Sequence, residues 1–167
     1  MRHILTVLFV LTASTVAFSQ TRQPSVSSRP YVVKSKQQVA DIEKALAAKP
    51  GNTNEDVVAQ AGEQTRVAVF HDTLRENDLN EVHDNSDDIY YVLSGKATLM
   101  LGGTLVDPNE ISPGEWRAKQ ATGGDKVEIK KGDLVFVPRG MRHQRTVTGK
   151  GFSMILIKVF SEKQPKK

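Results

Sequence analysis

From residue 65 onward, the chain shows short apolar or alternating runs that are separated by turn-forming residues. Runs of this kind, rich in Val, Ile, Leu and Phe, are typical of β-strands buried on one or both faces. The pattern predicts seven strands, at residues 65–70, 88–93, 97–101, 127–129, 134–137, 142–148 and 152–160. Many short strands with regular turn signals indicate an all-β sandwich or barrel.

Turn signals between neighbouring strands predict three β-hairpins. Ser94, Gly95 and Lys96 separate the second and third strands, residues 130–133 separate the fourth and fifth, and residues 149–151 separate the sixth and seventh. Each link contains glycine, which favours tight reversal of the chain. We therefore expect the two strands of each pair to lie side by side.

A basic, then apolar, then small-residue sequence opens the chain and predicts a secretory signal peptide at residues 1–19. Arg2 supplies the positive charge, an almost wholly apolar stretch follows, and Ala17 and Ser19 form a small-x-small cleavage signal. This stretch is too short for a membrane-spanning helix. We expect a mature protein that begins near Gln20, is periplasmic or secreted, and has no membrane partner.

One amphipathic helix is predicted between the signal peptide and the strands. Residues 20–34 are rich in Ser, Pro and Arg and are expected to be a disordered leader, and residues 35–64 to hold the helix and its lead-in to the strands. Ser35 and Gln38 form a capping box at the start of the helix. Its apolar face comprises Val39, Ile42 and Leu46.

The composition excludes several classes of protein. The chain has no Cys, so disulfide bonds, thiolate metal sites and a lipid anchor on Cys are excluded. The formal net charge is +4, and basic residues collect in a tail at residues 161–167. The centre of the chain is locally acidic, which does not resemble a nucleic-acid-binding surface. We expect one domain, residues 65–160, that relies on an apolar core.

The segment from Gly132 to His143 is built to hold one imidazole. Residues 134–137 are an apolar run suited to a buried strand. Pro138 ends that strand because proline has no backbone N–H to donate. A turn with Pro early and Gly140 late then returns the chain, with His143 on the returning strand.

A second set of candidate ligands lies upstream. Glu81 and His83 are two residues apart, so on a strand they share one face. Residues 84–87 are turn-forming, and Asp88 opens the next strand, so a hairpin brings the three side chains together. With His143 they offer two imidazoles and one or two carboxylates, which suits divalent transition metals.

These two segments resemble the two motifs of the cupin superfamily. The spacing G-x5-P-x-G-x2-H over residues 132–143 matches the second motif, although Val147 stands where the family has Asn. A degraded first motif ends at Gly95, with Asp88 in the place of the family's Glu. His83 matches the family's second His, and Glu81 stands where the first His belongs.

The resemblance implies a fold, a metal site and an assembly. The expected fold is all-β, a cupin double-stranded β-helix or jelly-roll barrel with a short N-terminal helix. The expected cofactor is a divalent transition metal, Mn, Fe or Zn, and the chain is expected to be a homodimer. His71 could replace Glu81 if Glu81 turns outward. The implied ligands are Glu81, His83, Asp88 and His143.

Three functions remain open from the sequence. The first is a metal-dependent oxygenase or isomerase acting on a small polar molecule, which Arg145 and either Tyr90 or Tyr91 would orient. The second is a non-catalytic barrel that binds a small ligand, and the third is a structural barrel. Residues 102–124 are expected to be an inserted loop or lid with a strand at 115–119, in which Trp116 is a hydrophobic anchor.

Overall fold

The computed structural model describes residues 23–165. The signal peptide predicted for residues 1–19 lies outside them and stays a prediction. The chain divides into two units after Tyr31. Residues 23–31 contain no helix or strand, and the description below concerns the unit that begins at Val32. No helix in the described part is long and apolar enough to span a membrane.

The predicted helix forms at its capping box. Helix α1 covers Lys36–Ala47. The Ser35 hydroxyl accepts a bond from the Gln38 backbone N–H at 3.2 Å, and the Ser35 N–H donates to Gln38 Oε1 at 2.8 Å. These bonds satisfy backbone and side-chain groups at the exposed helix end. Ile42 and Leu46 are buried against Val69 of the sheet, which fixes the helix to the outside of the barrel.

The described residues form twelve β-strands, most of them antiparallel partners in one large sheet that curls into a barrel. The strands are β1 (Asn52–Val58), β2 (Thr65–Asp72), β3 (Asn80–His83), β4 (Ser86–Leu101), β5 (Thr104–Val106), β6 (Asn109–Ser112), β7 (Glu115–Ala118), β8 (Gln120–Thr122), β9 (Asp125–Lys130), β10 (Leu134–Val137), β11 (His143–Thr146) and β12 (Phe152–Phe160). The order through the main sheet is β1-β2-β12-β4-β11-β3-β7-β6, and β9 and β10 also pair with β4.

The hairpin predicted at Gly95 is wrong, because β4 runs through this position as one strand of 16 residues. Gly95 has φ +73°, and a Cβ there would lie 2.1 Å from the Gly151 carbonyl oxygen. The pairing of β4 with β12 also shifts register between Ser153 and Met154. Gly95 therefore allows a β-bulge and a close approach of the Gly151 backbone, and it does not reverse the chain.

The other two predicted hairpins are turns, but their flanking strands do not pair with each other. β10 pairs with the first half of β4, whereas β9 pairs with its second half. β12 pairs with β2 and with the first half of β4, whereas β11 pairs with its second half and with β3. Turn residues reverse the chain, but they do not determine which strand pairs with which. Each of these two links instead crosses from one face of the barrel to the other.

The segment 102–124 is more ordered than the predicted loop. It contains β5, β6, β7 and β8, of which β5 and β8 form a separate two-stranded sheet. β7 pairs along its whole length with β3, and β6 pairs with β7. The insertion therefore extends the main sheet beside the strand that carries Glu81 and His83.

The apolar core fills one part of the barrel. Its buried residues come from β4, β9, β10 and β12, together with Val147 just after β11, and Leu99 and Phe152 are wholly buried. Tyr90, Met154 and Leu156 belong to this core and also line a polar cavity. The apolar core therefore borders the cavity through these three side chains.

Candidate metal centre

Glu81, His83 and His143 bring three metal-ligating groups together. Their donor atoms lie within 4.8 Å of one another. Glu81 stands directly opposite His143 in the pairing of β3 with β11. Glu81 Oε2 lies 3.5 Å from His83 Nε2 and 3.9 Å from His143 Nε2. One carboxylate oxygen and two imidazole nitrogens therefore point to a common volume.

The His143 ring is fixed by a backbone group. Its Nδ1 lies 3.1 Å from the Met141 carbonyl oxygen. Because a carbonyl only accepts hydrogen bonds, Nδ1 carries the proton and Nε2 keeps a free lone pair. Burial also lowers the pKa of the His143 imidazole, against the opposing pull of the Met141 carbonyl and Glu81. The neutral ring is the form that binds a metal.

The His83 ring is held by Glu115, a residue that the sequence analysis did not single out as a site residue. His83 Nδ1 lies 2.6 Å from Glu115 Oε2, and the two ring centroids of His83 and His143 are 5.0 Å apart. Burial would raise the pKa of the Glu115 carboxyl, but the hydrogen bond from His83 and the nearby cations Lys158 and Arg117 hold it below its usual value. Only its place opposite a histidine in a strand pair could have indicated Glu115.

Asp88 faces the cavity but has a cation beside it. Asp88 Oδ1 lies 2.7 Å from Lys158 Nζ, and Asp88 Oδ2 lies 3.7 Å from His83 Nε2. The Tyr90 hydroxyl also donates to Asp88 Oδ2 at 3.4 Å. Sequence reasoning missed Lys158, although a lysine inside the apolar strand 152–160 is a signal of a buried ion pair.

Two arginines contact the Glu81 carboxylate, one at each of its oxygens. Arg75 Nη2 lies 3.5 Å from Oε1, and Arg117 Nη2 lies 3.4 Å from Oε2. Arg75 also pairs with Asp72 and Asp78. The two guanidinium groups restrain the carboxylate near the two imidazoles. They also compete with any metal for the same oxygens.

The remaining candidates separate into the cavity and its surroundings. Tyr90 is buried and faces inward, whereas Tyr91 is 45% exposed, as alternation along a strand requires. Burial raises the pKa of the Tyr90 hydroxyl far above its usual value. Arg145 lines the cavity and donates from Nε to Asp72 at 2.8 Å. His71 is outside the three-residue group, with Nδ1 2.9 Å from the Ser153 hydroxyl.

Trp116 is a polar as well as an apolar contact. Its indole Nε1 donates to Asp84 Oδ2 at 2.7 Å, and the Asp84 backbone N–H donates to the Gly114 carbonyl at 2.8 Å. These bonds tie the insertion to the link between β3 and β4. Trp116 thus anchors the insertion through a hydrogen bond that the prediction of a hydrophobic anchor did not include.

A cavity of about 300 Å³ surrounds these groups, which is at the lower end of the usual size for small-molecule sites. Its wall is strongly charged, with Arg66, Arg75, Glu81, Asp88, Glu115, Arg117, Arg145 and Lys158 beside the two histidines. Two imidazoles and a carboxylate suit divalent Fe, Mn or Zn, and three protein ligands leave coordination positions for another molecule. The group could therefore hold a metal that faces the cavity.

Comparison with known proteins identifies the fold. No protein-family model and no curated protein matches the chain by sequence. A protein from Bacillus halodurans is similar over 84% of this chain and 88% of its own, at 16% identity and a TM-score of 0.53. A Klebsiella pneumoniae protein with a double-stranded β-helix domain is similar over 75% of this chain and 90% of its own, at 16% identity and a TM-score of 0.51.

A third solved structure carries the family's name. It is a cupin superfamily protein from Desulfitobacterium hafniense, similar over 81% of this chain and 94% of its own, at 18% identity and a TM-score of 0.50. The chain therefore has the double-stranded β-helix fold that is found in this cupin superfamily protein. This confirms the fold that the two sequence motifs predicted. Likeness at this level of identity concerns the fold alone.

Proposed function

We propose that the chain binds one divalent transition metal ion through Glu81, His83 and His143. The observation that carries the proposal is the matched orientation of the two imidazoles. Each Nδ1 is engaged by a hydrogen-bond acceptor, Glu115 Oε2 for His83 and the Met141 carbonyl for His143, and each Nε2 lies within 3.9 Å of the same Glu81 oxygen. Buried neutral imidazoles with free Nε2 lone pairs are the usual protein ligands of Fe, Mn and Zn.

We further propose that the cavity binds a small polar molecule beside the metal and that the chain is a metal-dependent oxygenase or isomerase. A bound metal would act as a Lewis acid on an oxygen of that molecule. Arg117 and Arg145 carry charges that would orient a polar or anionic group. Tyr90 presents a neutral hydroxyl, because burial keeps its pKa high.

The second candidate function is a barrel that binds a small ligand without catalysis. The observation in its favour is that each cavity carboxylate already has a cation. Asp88 is beside Lys158, Glu81 is between Arg75 and Arg117, and Arg117 also contacts Glu115. Because each of these carboxylates already has a cationic partner, the charges of the cavity wall are balanced without a metal. The cavity itself argues against a purely structural barrel whose interior is filled.

The compartment and assembly are also proposals. The signal peptide predicted for residues 1–19 supports a periplasmic or secreted protein, and the resemblance to the cupin motifs supports a homodimer. The locally acidic centre gives no support to a nucleic-acid partner, and no membrane partner is proposed for the mature form.

The experiment is elemental analysis and metal titration of the purified protein, with Fe²⁺, Mn²⁺ and Zn²⁺ as separate probes. We expect one metal per chain in the wild type and a large loss of occupancy in His83→Ala, His143→Ala and Glu81→Gln. His71→Ala is the matched control, since His71 is a buried histidine outside the group. If His71→Ala empties the site while Glu81→Gln is silent, His71 replaces Glu81 as the ligand. A wild type without metal would favour the non-catalytic barrel.

A further inference from the structure

The contact between His83 and Glu115 joins the inserted segment to the centre of the barrel. We propose that Glu115 is a positioning residue for His83, so that the insertion at residues 102–124 is a working part of the metal centre. The proposal rests on the metal site proposed above. It assigns to the insertion a role other than that of a loop or lid.

Strand pairing fixes Glu115 in place. Glu115 stands directly opposite His83 in the antiparallel pairing of β3 with β7, so the two side chains lie on the same face. The bond from Trp116 to Asp84 and the backbone bond from Asp84 to Gly114 lie on either side of this pair. The backbone that carries Glu115 is therefore restrained on both sides, which holds its carboxylate against the His83 ring.

The chemistry of the contact decides the tautomer of His83. An ionised carboxylate accepts hydrogen bonds and donates none, so Glu115 favours the ring form with a proton on Nδ1. The Nε2 lone pair then faces Glu81 Oε2 at 3.5 Å. A carboxylate behind an imidazole also makes the ring a stronger metal ligand. At His143 the same role falls to the neutral Met141 carbonyl.

Arg117 connects Glu115 with the proposed carboxylate ligand. It lies two residues beyond Glu115 on β7, and its Nη2 is 3.3 Å from Glu115 Oε2 and 3.4 Å from Glu81 Oε2. One guanidinium thus contacts both the carboxylate behind His83 and the carboxylate among the ligands. The insertion supplies both residues, and it therefore restrains two of the three proposed ligands.

The first test uses metal-free protein, so it does not depend on the proposed function. Nitrogen-15 NMR of labelled histidine reports which ring nitrogen carries the proton. We expect His83 to be protonated at Nδ1 in the wild type and to lose that preference in Glu115→Met, which keeps the length of the side chain but removes the acceptor. Glu115→Gln retains an acceptor oxygen and should keep part of the preference. His143 is the internal reference and should not change.

The second test is titration of the same variants with Zn²⁺ and Mn²⁺. Loss of an outer carboxylate typically weakens metal affinity by about 10- to 100-fold. We expect that loss in Glu115→Met, a smaller one in Glu115→Gln, and none in Glu128→Gln, an exposed carboxylate that does not line this cavity. Unchanged His83 protonation in Glu115→Met overturns the proposal, as does Zn²⁺ affinity within about twofold of wild type. A wild type that binds neither metal refutes the metal site alone, and the tautomer measurement still decides the role of Glu115.

Discussion

Lys158 and Asp88 stand directly opposite each other in the pairing of β12 with β4, with Nζ and Oδ1 2.7 Å apart. Both side chains are almost wholly buried. Lys158 also donates to the Ser86 hydroxyl at 3.0 Å. Asp88, which stands where the cupin motif has Glu, is therefore one half of a buried ion pair. This pairing with Lys158 distinguishes Asp88 from Glu81.

Breaking this pair should destabilise the metal-free protein. Lys158→Met leaves Asp88 as a buried carboxylate without its cation, which typically costs about 3–5 kcal/mol of unfolding free energy. Urea unfolding in the presence of a chelator measures the loss. The double variant Lys158→Met with Asp88→Asn removes both charges and should recover part of it. Equal stability of the single and double variants would contradict the argument.

Asp88 should contribute less to metal binding than Glu81. Its carboxylate is paired with Lys158, and Oδ2 is 3.7 Å from His83 Nε2, so we expect an orienting or water-bridged role. Asp88→Asn should lower metal affinity by roughly 10-fold or less, in the range of outer-contact changes, and Glu81→Gln by more. Titration of both variants with the same metal compares them. A larger loss in Asp88→Asn would make Asp88 the carboxylate ligand.

Acidification should destabilise the metal-free fold through His143. Burial holds the folded-state pKa of His143 below its ordinary value of 6.5. Between the two pKa values the unfolded chain binds more protons than the folded chain, so stability falls as the pH drops below about 6.5. Urea unfolding at pH 7 and pH 5 measures this fall. His143→Gln cannot titrate and should show a smaller one, and an equal fall in both proteins would exclude His143 as a source.

A homodimer should depend on the outer face of β4 and β10. Leu134 and Phe136 are 70% and 60% exposed, and Tyr91, directly opposite Leu134, is 45% exposed. Large apolar side chains grouped on a surface are typical of protein contacts. Sedimentation analysis should show a dimer that Leu134→Glu with Phe136→Glu converts to monomer. Leu74→Glu, at another exposed apolar residue, is the control, and a wild-type monomer would refute the expectation.

The mature chain should begin at or near Gln20. The cleavage signal at Ala17 and Ser19 follows an apolar stretch of the length found in signal peptides. N-terminal sequencing of protein recovered from the exported fraction measures the start directly. Recovery of that protein with Met1 retained would exclude cleavage.

The sequence predicted the fold well because turn residues, strand ends and the capping box depend on local chemistry. Pro138 ends β10 at Val137, and Ser35 caps α1, as expected. Strand partners were predicted poorly, because a glycine at a bulge and a glycine at a turn look alike in sequence. Gly95 is the clear example. Glu81, His83, Asp88 and His143 line one cavity, but the hairpin predicted to join Glu81 and His83 with Asp88 is wrong, because β3 pairs with β7 and β11 and not with β4.

The cavity residues that the sequence did not indicate contact partners that are far away in the sequence. Glu115, Arg117 and Lys158 reach the cavity only through strand pairing, and each contacts a residue more than thirty positions away. Their partners depend on the register between strands, which periodicity does not fix. An unusual charge in an apolar strand, as at Lys158, is the one local sign that was present.

The length of β4 has a consequence for the order in which the barrel can assemble. Its first half is bordered by β10 and β12 and its second half by β9 and β11, all of which come later in the chain. Loops that must close over such separations make folding slow. During synthesis, β4 therefore keeps unpaired edges until residues 152–160 have emerged. A chaperone that covers those edges would protect this protein from aggregation at the stage where it is most exposed.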